Sequence, residues 1–205
     1  MSKNGQNVDR RVARSKQAFK SALLALLAEK DFQEITITEI VDRADFNRGT
    51  FYAHYTNKDG LLDDVIDDVL SGLLDSYREP YKHVESFHLD ELSVTAVKLF
   101  DHVYENADFY STMLKAKGIS GFQEKMFREL KAISQEELTV SNADTPPGLN
   151  EDLQLTYQTY ALLGMIVYWV QEDFKYSPSY MTEQLLLILN RNLNHTIVKR
   201  KKEGK

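Results

Sequence analysis

Residues 36–61 read TITEIVDRADFNRGTFYAHYTNKDGL. Thr36 followed three residues later by Glu39 is a capping box, so a helix starts after Thr36 and runs to about Ala44. Asp45-Phe46 is too short for anything but a tight turn. Asn47 suits an N-cap, which opens a second short helix over about Arg48 to His54. Thr56 or Asn57 caps a third, from Lys58 towards Tyr77. Two short helices joined by a tight turn form a helix-turn-helix, whose second helix suits a DNA major groove.

Upstream, Val12, Phe19, Leu23, Leu26 and Leu27 recur at helical spacing, so Asp9 to Glu29 reads as an amphipathic helix. Residues 1–8 read as a flexible basic N-terminus. Downstream, Pro80 breaks the pattern and places a domain boundary near residues 78–88. The expected organisation is a DNA-binding domain over 9–78, with its motif at about 36–55, and a helical domain over 79–205. No stretch alternates with period two, so the fold class is all-α.

The chain has 205 residues and a net charge of −6, the wrong sign for a DNA binder at first sight. Its distribution answers the objection. Residues 1–60 hold 10 Lys+Arg against 8 Asp+Glu, a balance of +2, and the remainder holds 15 against 23, a balance of −8. Phosphate binding needs a local basic surface, not a basic protein. There are no cysteines, which excludes disulfides, thiolate catalysis and thiolate-bound metal. The longest apolar run, Tyr160 to Val170, is too short for a bilayer span, so no membrane partner is expected. The polar start lacks the apolar core of a signal peptide, and the expected location is cytoplasmic.

A recognition helix needs short or polar residues at its N-terminal end, where the backbone meets base edges. Asn47-Arg48-Gly49-Thr50 provides them. Arg48 offers paired donors to guanine, and the Thr50 methyl suits a thymine methyl. Gly49 costs about 1 kcal/mol in a helix, which fits either close approach to DNA or a packing site. Thr38 is a phosphate candidate. Phe51 is expected in the core. His54 reads either as a phosphate neighbour or as a locally hydrogen-bonded structural residue, and Arg43 as solvated or on DNA.

Ile40, Ala44, Arg48-Gly49-Thr50-Phe51-Tyr52, His54-Tyr55, Asn57-Lys58-Asp59 and Leu61 together resemble the N-terminal domain of TetR-family (TetR/AcrR-like) transcriptional regulators. The resemblance implies that Tyr52, Tyr55 and Lys58 position the DNA backbone. It departs from the pattern at Asp45, where the family usually carries glycine in the turn. Asp tolerates a left-handed backbone better than most residues, so the turn is expected to survive.

The resemblance also implies that the second half binds a ligand and dimerises. Its segments FYSTMLKAKG and GFQEKMFREL are similar to one subgroup of the family. Tyr104, Tyr110, Met113, Phe122, Met126, Tyr160 and Tyr168 are the candidate lining of a site for a small hydrophobic or aromatic ligand, with ordinary core packing as the competing reading. A long helix over Glu151 to Glu172 is apolar on more than one face, so it is buried on both sides, by core and by a partner. Ser177-Pro178 opens a last helix to about Val198. These last two helices would form a homodimer.

Catalytic chemistry has no motif. The five histidines are scattered without metal-ligand spacing, Gly118 to Phe122 falls short of a nucleophile elbow, and no glycine loop cradles phosphate. No cofactor and no metal are expected. The aspartates 59, 63, 64, 67 and 68 read as a solvated helix face. The sequence therefore predicts a dimeric repressor on a near-palindromic double-stranded DNA operator, released by a small ligand. The alternative is a regulator of the same shape controlled by a partner protein.

Overall fold

A computed structural model describes residues 3–84, 93–95, 97–115, 121–138 and 148–190. Every regular element among them is helical: α1 Lys3–Leu27, α2 Ile37–Arg43, α3 Arg48–Tyr52, α4 Lys58–Arg78, α5 Leu99–Glu105, α6 Ala107–Lys115, α7 Phe122–Glu137, α8 Glu151–Gln171 and α9 Pro178–Leu189. A single 3-10 turn, Phe32–Glu34, lies between α1 and α2. Helix α1 begins at Lys3, almost two turns before the expected Asp9. The far end of the last predicted helix, the tail after Asn190 and most of the proline-containing loop fall outside the described residues.

Short-range capping sets the starts of these helices. The Thr36 hydroxyl oxygen accepts from the Glu39 backbone N–H at 3.3 Å, and the Glu39 carboxylate accepts from the Thr36 N–H at 2.9 Å. Asn47, Asn57, Asn150 and Ser177 cap α3, α4, α8 and α9 through the backbone N–H three residues on. Asp45 takes φ 56°, the left-handed turn conformation in which the resemblance expected glycine.

Helices α1–α3 close over Phe19, Leu23, Ile40 and Phe51, all fully buried. Helix α4 then joins the two halves. It packs on α1 at its N-terminal end and on α5 and α7 further along. Its acidic stripe holds these neighbours rather than standing in solvent alone. Asp64 pairs with Lys16 at 3.0 Å and Lys20 at 3.1 Å, Asp68 with Lys20, and Asp67 with Lys125 of α7 at 2.6 Å. At the other end Arg78 meets Glu137, and the Tyr77 and Ser134 hydroxyls lie 2.8 Å apart. Gly72 lets α5 approach closely, since a Cβ there would sit 2.7 Å from His102 Cε1.

The second half packs around Trp169, Phe100, Tyr110 and Met126, all at zero exposure. The indole N–H donates to the Tyr176 carbonyl at 3.0 Å, which pins the α8–α9 turn. That turn holds Asp173 and Phe174 in left-handed conformations, φ 51° and 55°. A bulky residue adopts this region only at a cost. The Phe174 ring offsets it by packing edge-on against Trp169 at 5.0 Å and Tyr104 at 5.7 Å.

Candidate nucleic-acid interface

Helix α3 is one and a half turns long, and each side of it has a different job. Phe51 is fully buried and packs edge-on against Phe19. Asn47, Arg48, Gly49, Tyr52 and Ala53 face outwards, and Tyr52 is 56% exposed. The outer face is thus polar and narrow in side-chain bulk at its N-terminal end, as a helix entering a groove requires.

The two flanks are tied down. On one, the Arg48 guanidinium donates to the Thr38 hydroxyl of α2. On the other, His54 Nε2 lies 2.7 Å from Ser15 Oγ of α1. The Ser15 proton is directed at the Arg11 and Val12 carbonyls, each 3.0 Å away, so Ser15 accepts and His54 Nε2–H donates. Of the two readings of His54, the structure realises the internal hydrogen bond. Asn47 Oδ1 accepts from the Thr50 N–H at 2.8 Å and the Thr50 hydroxyl at 3.2 Å. A Cβ at Gly49 would meet that same oxygen at 3.2 Å, so glycine keeps the cap uncrowded.

Thr38, Asn47, Arg48, Gly49, Thr50 and Tyr52 therefore share one accessible surface. Tyr55 and Lys58 have internal partners instead. Tyr55 is 6% exposed and donates to Asp64 at 2.7 Å. Burial, with that carboxylate beside it, pushes the phenol well above its ordinary range. Burial works against ionisation of Asp64, but hydrogen bonds from Tyr55, Lys16 and Lys20 outweigh it and hold the carboxyl down at about 2. Lys58 Nζ donates to the carbonyls of Phe32, Gln33 and Ile35 at 2.7, 3.1 and 2.8 Å, and covers the Phe32 ring. Its three protons close the α1–α2 turn. Arg43 grips Glu29 through two hydrogen bonds of 2.6 and 3.0 Å. No sequence signal marks these pairings, because the partners lie 9 to 26 positions apart, beyond the reach of helical spacing.

The candidate ligand residues divide. Tyr110, Met113, Phe122 and Met126 lie in the core, whereas Tyr104, Tyr160 and Tyr168 are at least half exposed. Two open depressions, of about 510 and 540 Å³, are lined only by residues of the N-terminal half. Tyr160 stacks on Phe127 at 4.1 Å. With Leu153, Tyr157, Gly164 and Tyr168 it forms one exposed face of α8, and Tyr180, Leu187, Ile188 and Leu189 of α9 are exposed as well.

Comparison with known proteins agrees with this arrangement. The model of bacterial regulatory proteins of the tetR family matches residues 21–65, and a model for a transcriptional regulator C-terminal region matches residues 90–191. The HTH-type transcriptional regulator YxbF of Bacillus subtilis (strain 168) is 28% identical over 166 residues. That match covers 81% of this chain but 42% of the relative, so the chain spans less than half of that protein's length. A TetR transcriptional regulator from Streptococcus agalactiae 2603V shares the fold at TM-score 0.62 and 22% identity, over 91% of this chain and 99% of its own. The fatty acid degradation regulator FadR from Bacillus halodurans does so at 0.64 and 16%, over 89% and 97%. A capped helix-turn-helix presenting a polar α3, the all-helical second half and both family matches place the chain in the TetR family of transcriptional regulators.

Proposed function

We propose that this protein is a homodimeric, sequence-specific repressor whose two α3 helices enter successive major grooves of a near-palindromic operator. The outward polar face of α3, set by a buried Phe51 and two tied flanks, carries the reading. Arg48 and Thr50 read bases, with Asn47 and Gly49 giving close approach. Thr38 and Tyr52 hold phosphates. Tyr55, His54 and Lys58 act through positioning, by locking α3 and α4 to α1. The site of action is the cytoplasm, where such operators are accessible; no helix of the described residues is long and apolar enough to cross a membrane.

The partner for dimerisation is a second copy, docked on the α8–α9 face. A surface carrying Leu153, Tyr157, Leu187 and Ile188 at more than half exposure is costly to leave in water. Two α3 helices in such a dimer would sit roughly 34–36 Å apart, one turn of DNA. Release by a small hydrophobic or aromatic ligand requires that the ligand bind one spacing of those helices better than the other.

A partner protein in place of the ligand is favoured by one observation: the candidate lining residues are split between packed core and open surface. Calorimetry of the purified protein against a metabolite panel separates the two. Saturable binding that weakens operator affinity supports ligand control. Its absence, with a copurifying protein that shifts operator affinity, supports partner control. Footprinting on random duplexes tests the base reading, and the absence of any preferred sequence would overturn it.

A further inference from the structure

Most of the described cations pair with a carboxylate; besides Arg48 on Thr38 and Lys175 over the Tyr176 ring, the largest group that does not lies on α1. In the second half, Arg78, Lys82, Lys98, Lys125, Arg128 and Lys131 each pair with a carboxylate. In the first half, Lys16, Lys20, Lys30 and Arg43 do the same. Arg10, Arg11 and Arg14 of α1 are exposed and have no acidic partner among the described side chains, those from residue 10 onwards. Arg11 and Arg14 line the 540 Å³ depression between α1 and the helix-turn-helix, together with Ser15, Asp45, Thr50 and His54.

This depression lies on a definite side of α3. Successive residues of a helix turn by about 100°. Arg48 leans towards α2 through Thr38, while Thr50 and His54 point the opposite way, towards α1. The exposed arc of Gly49, Tyr52 and Ala53 runs between them. A helix about 10–12 Å across fills a major groove about 12 Å wide, so its two flanks meet the two phosphate strands. The α2 flank offers hydroxyls, backbone and the Arg48 guanidinium already assigned to a base. The α1 flank offers two uncompensated guanidiniums, the side chains best matched to phosphate.

We infer that Arg11 and Arg14 form a phosphate clamp for the DNA strand on the α1 side of the recognition helix. It rests on the reading of α3 proposed above. The His54–Ser15 hydrogen bond fixes α1 against α3, so the two arginines ride at a set offset from the base-reading face. Their contacts carry register and affinity without sequence information. Asp45 is the opposing element: its carboxylate shares the depression and subtracts from the clamp.

The test uses the full chain and its selected operator duplex, with binding followed by fluorescence anisotropy across a salt series. Replacing both residues, Arg11→Ala with Arg14→Ala, removes four guanidiniums from the dimer and is expected to flatten the slope of log affinity against log salt by about 3.6, or about 0.9 for each phosphate no longer neutralised. The ranking of operator variants should stay as in the wild type. Arg11→Lys with Arg14→Lys keeps the charge and should restore most of the slope. Asp45→Asn keeps a residue that tolerates the left-handed turn and should bind severalfold more tightly. An unchanged slope in the double alanine variant, with its helical circular dichroism intact, overturns the clamp and leaves the arginines to some other anionic partner, such as an acidic protein segment. So does a changed operator ranking, which would make them base readers. If the wild type prefers no duplex, the reading of α3 fails instead, and the same slope comparison on random-sequence DNA still decides the clamp.

Discussion

Helices α3 and α8 both leave one face uncovered, and the two faces are opposites. That of α3 is short, polar and bordered by unpaired guanidiniums. That of α8 is long and built from Leu153, Tyr157, Tyr160 and Tyr168, with exposures of 50% to 74%. A polar face in water costs nothing to keep open and waits for charge. An apolar face of this size is unfavourable until something apolar covers it, at roughly 25 cal/mol for each Å² removed from water. Under the function proposed above, the two surfaces take different partners: a polyanion for the first and a second protein surface for the second.

The contrast breaks most visibly at α8. Tyr157→Asp combined with Leu187→Asp places charge in the proposed dimer face while leaving the core untouched. Sedimentation should show monomer, and affinity for a two-half-site operator should fall by more than about 100-fold, the effective-concentration advantage of joined heads. Affinity for a single half-site should hold. A dimer that survives both charges would remove α8–α9 from the interface.

At α3 the expected effect is smaller and of another kind. Arg48→Ala should cost about 1–3 kcal/mol in discrimination at one base position and leave the melting temperature nearly unchanged. Competition titrations with single-base operator variants measure it. If all variants weaken equally, Arg48 contacts phosphate and not a base.

Lys58 sharpens the comparison between a residue on the reading face and one just behind it. Lys58→Met leaves three carbonyls at the α1–α2 turn without their donor, so a stability loss of about 1–3 kcal/mol is expected by urea denaturation. The salt slope of DNA binding should not change. A flattened slope with full stability would return Lys58 to the phosphates.

The smallest effect concerns Asp64, which has no place on either face. Its carboxyl titrates at about 2 in the fold against an ordinary value of 3.8. A lowered value means that its contribution is complete above about pH 4 and disappears as the pH falls towards 2. Asp64→Asn should lower stability near neutrality by about 1 kcal/mol. It should also flatten that acid limb in pH-dependent melts. An unaltered limb would show that Lys16 and Lys20 are held by other groups.

The sequence by itself determined where most described helices begin and that α2 and α3 form a helix-turn-helix. Thr36, Asn47, Asn57 and Ser177 act on backbone N–H groups three residues away, so the signal and its consequence lie in one short window. Asp45 in its left-handed turn is equally local. Side-chain destinations are another matter. Tyr55 and Lys58 carry polar tips that suit phosphate, yet Asp64 and the carbonyls around Phe32 are nearer once the chain is packed. Likewise, Tyr104 and Tyr110 look alike in sequence, but one is half exposed and the other fully buried. Only the tertiary structure decided these, and with them the offset of Arg11 and Arg14 from α3. Periodicity reports that a helix has an apolar side, while the neighbours that cover it come from residues dozens of positions away.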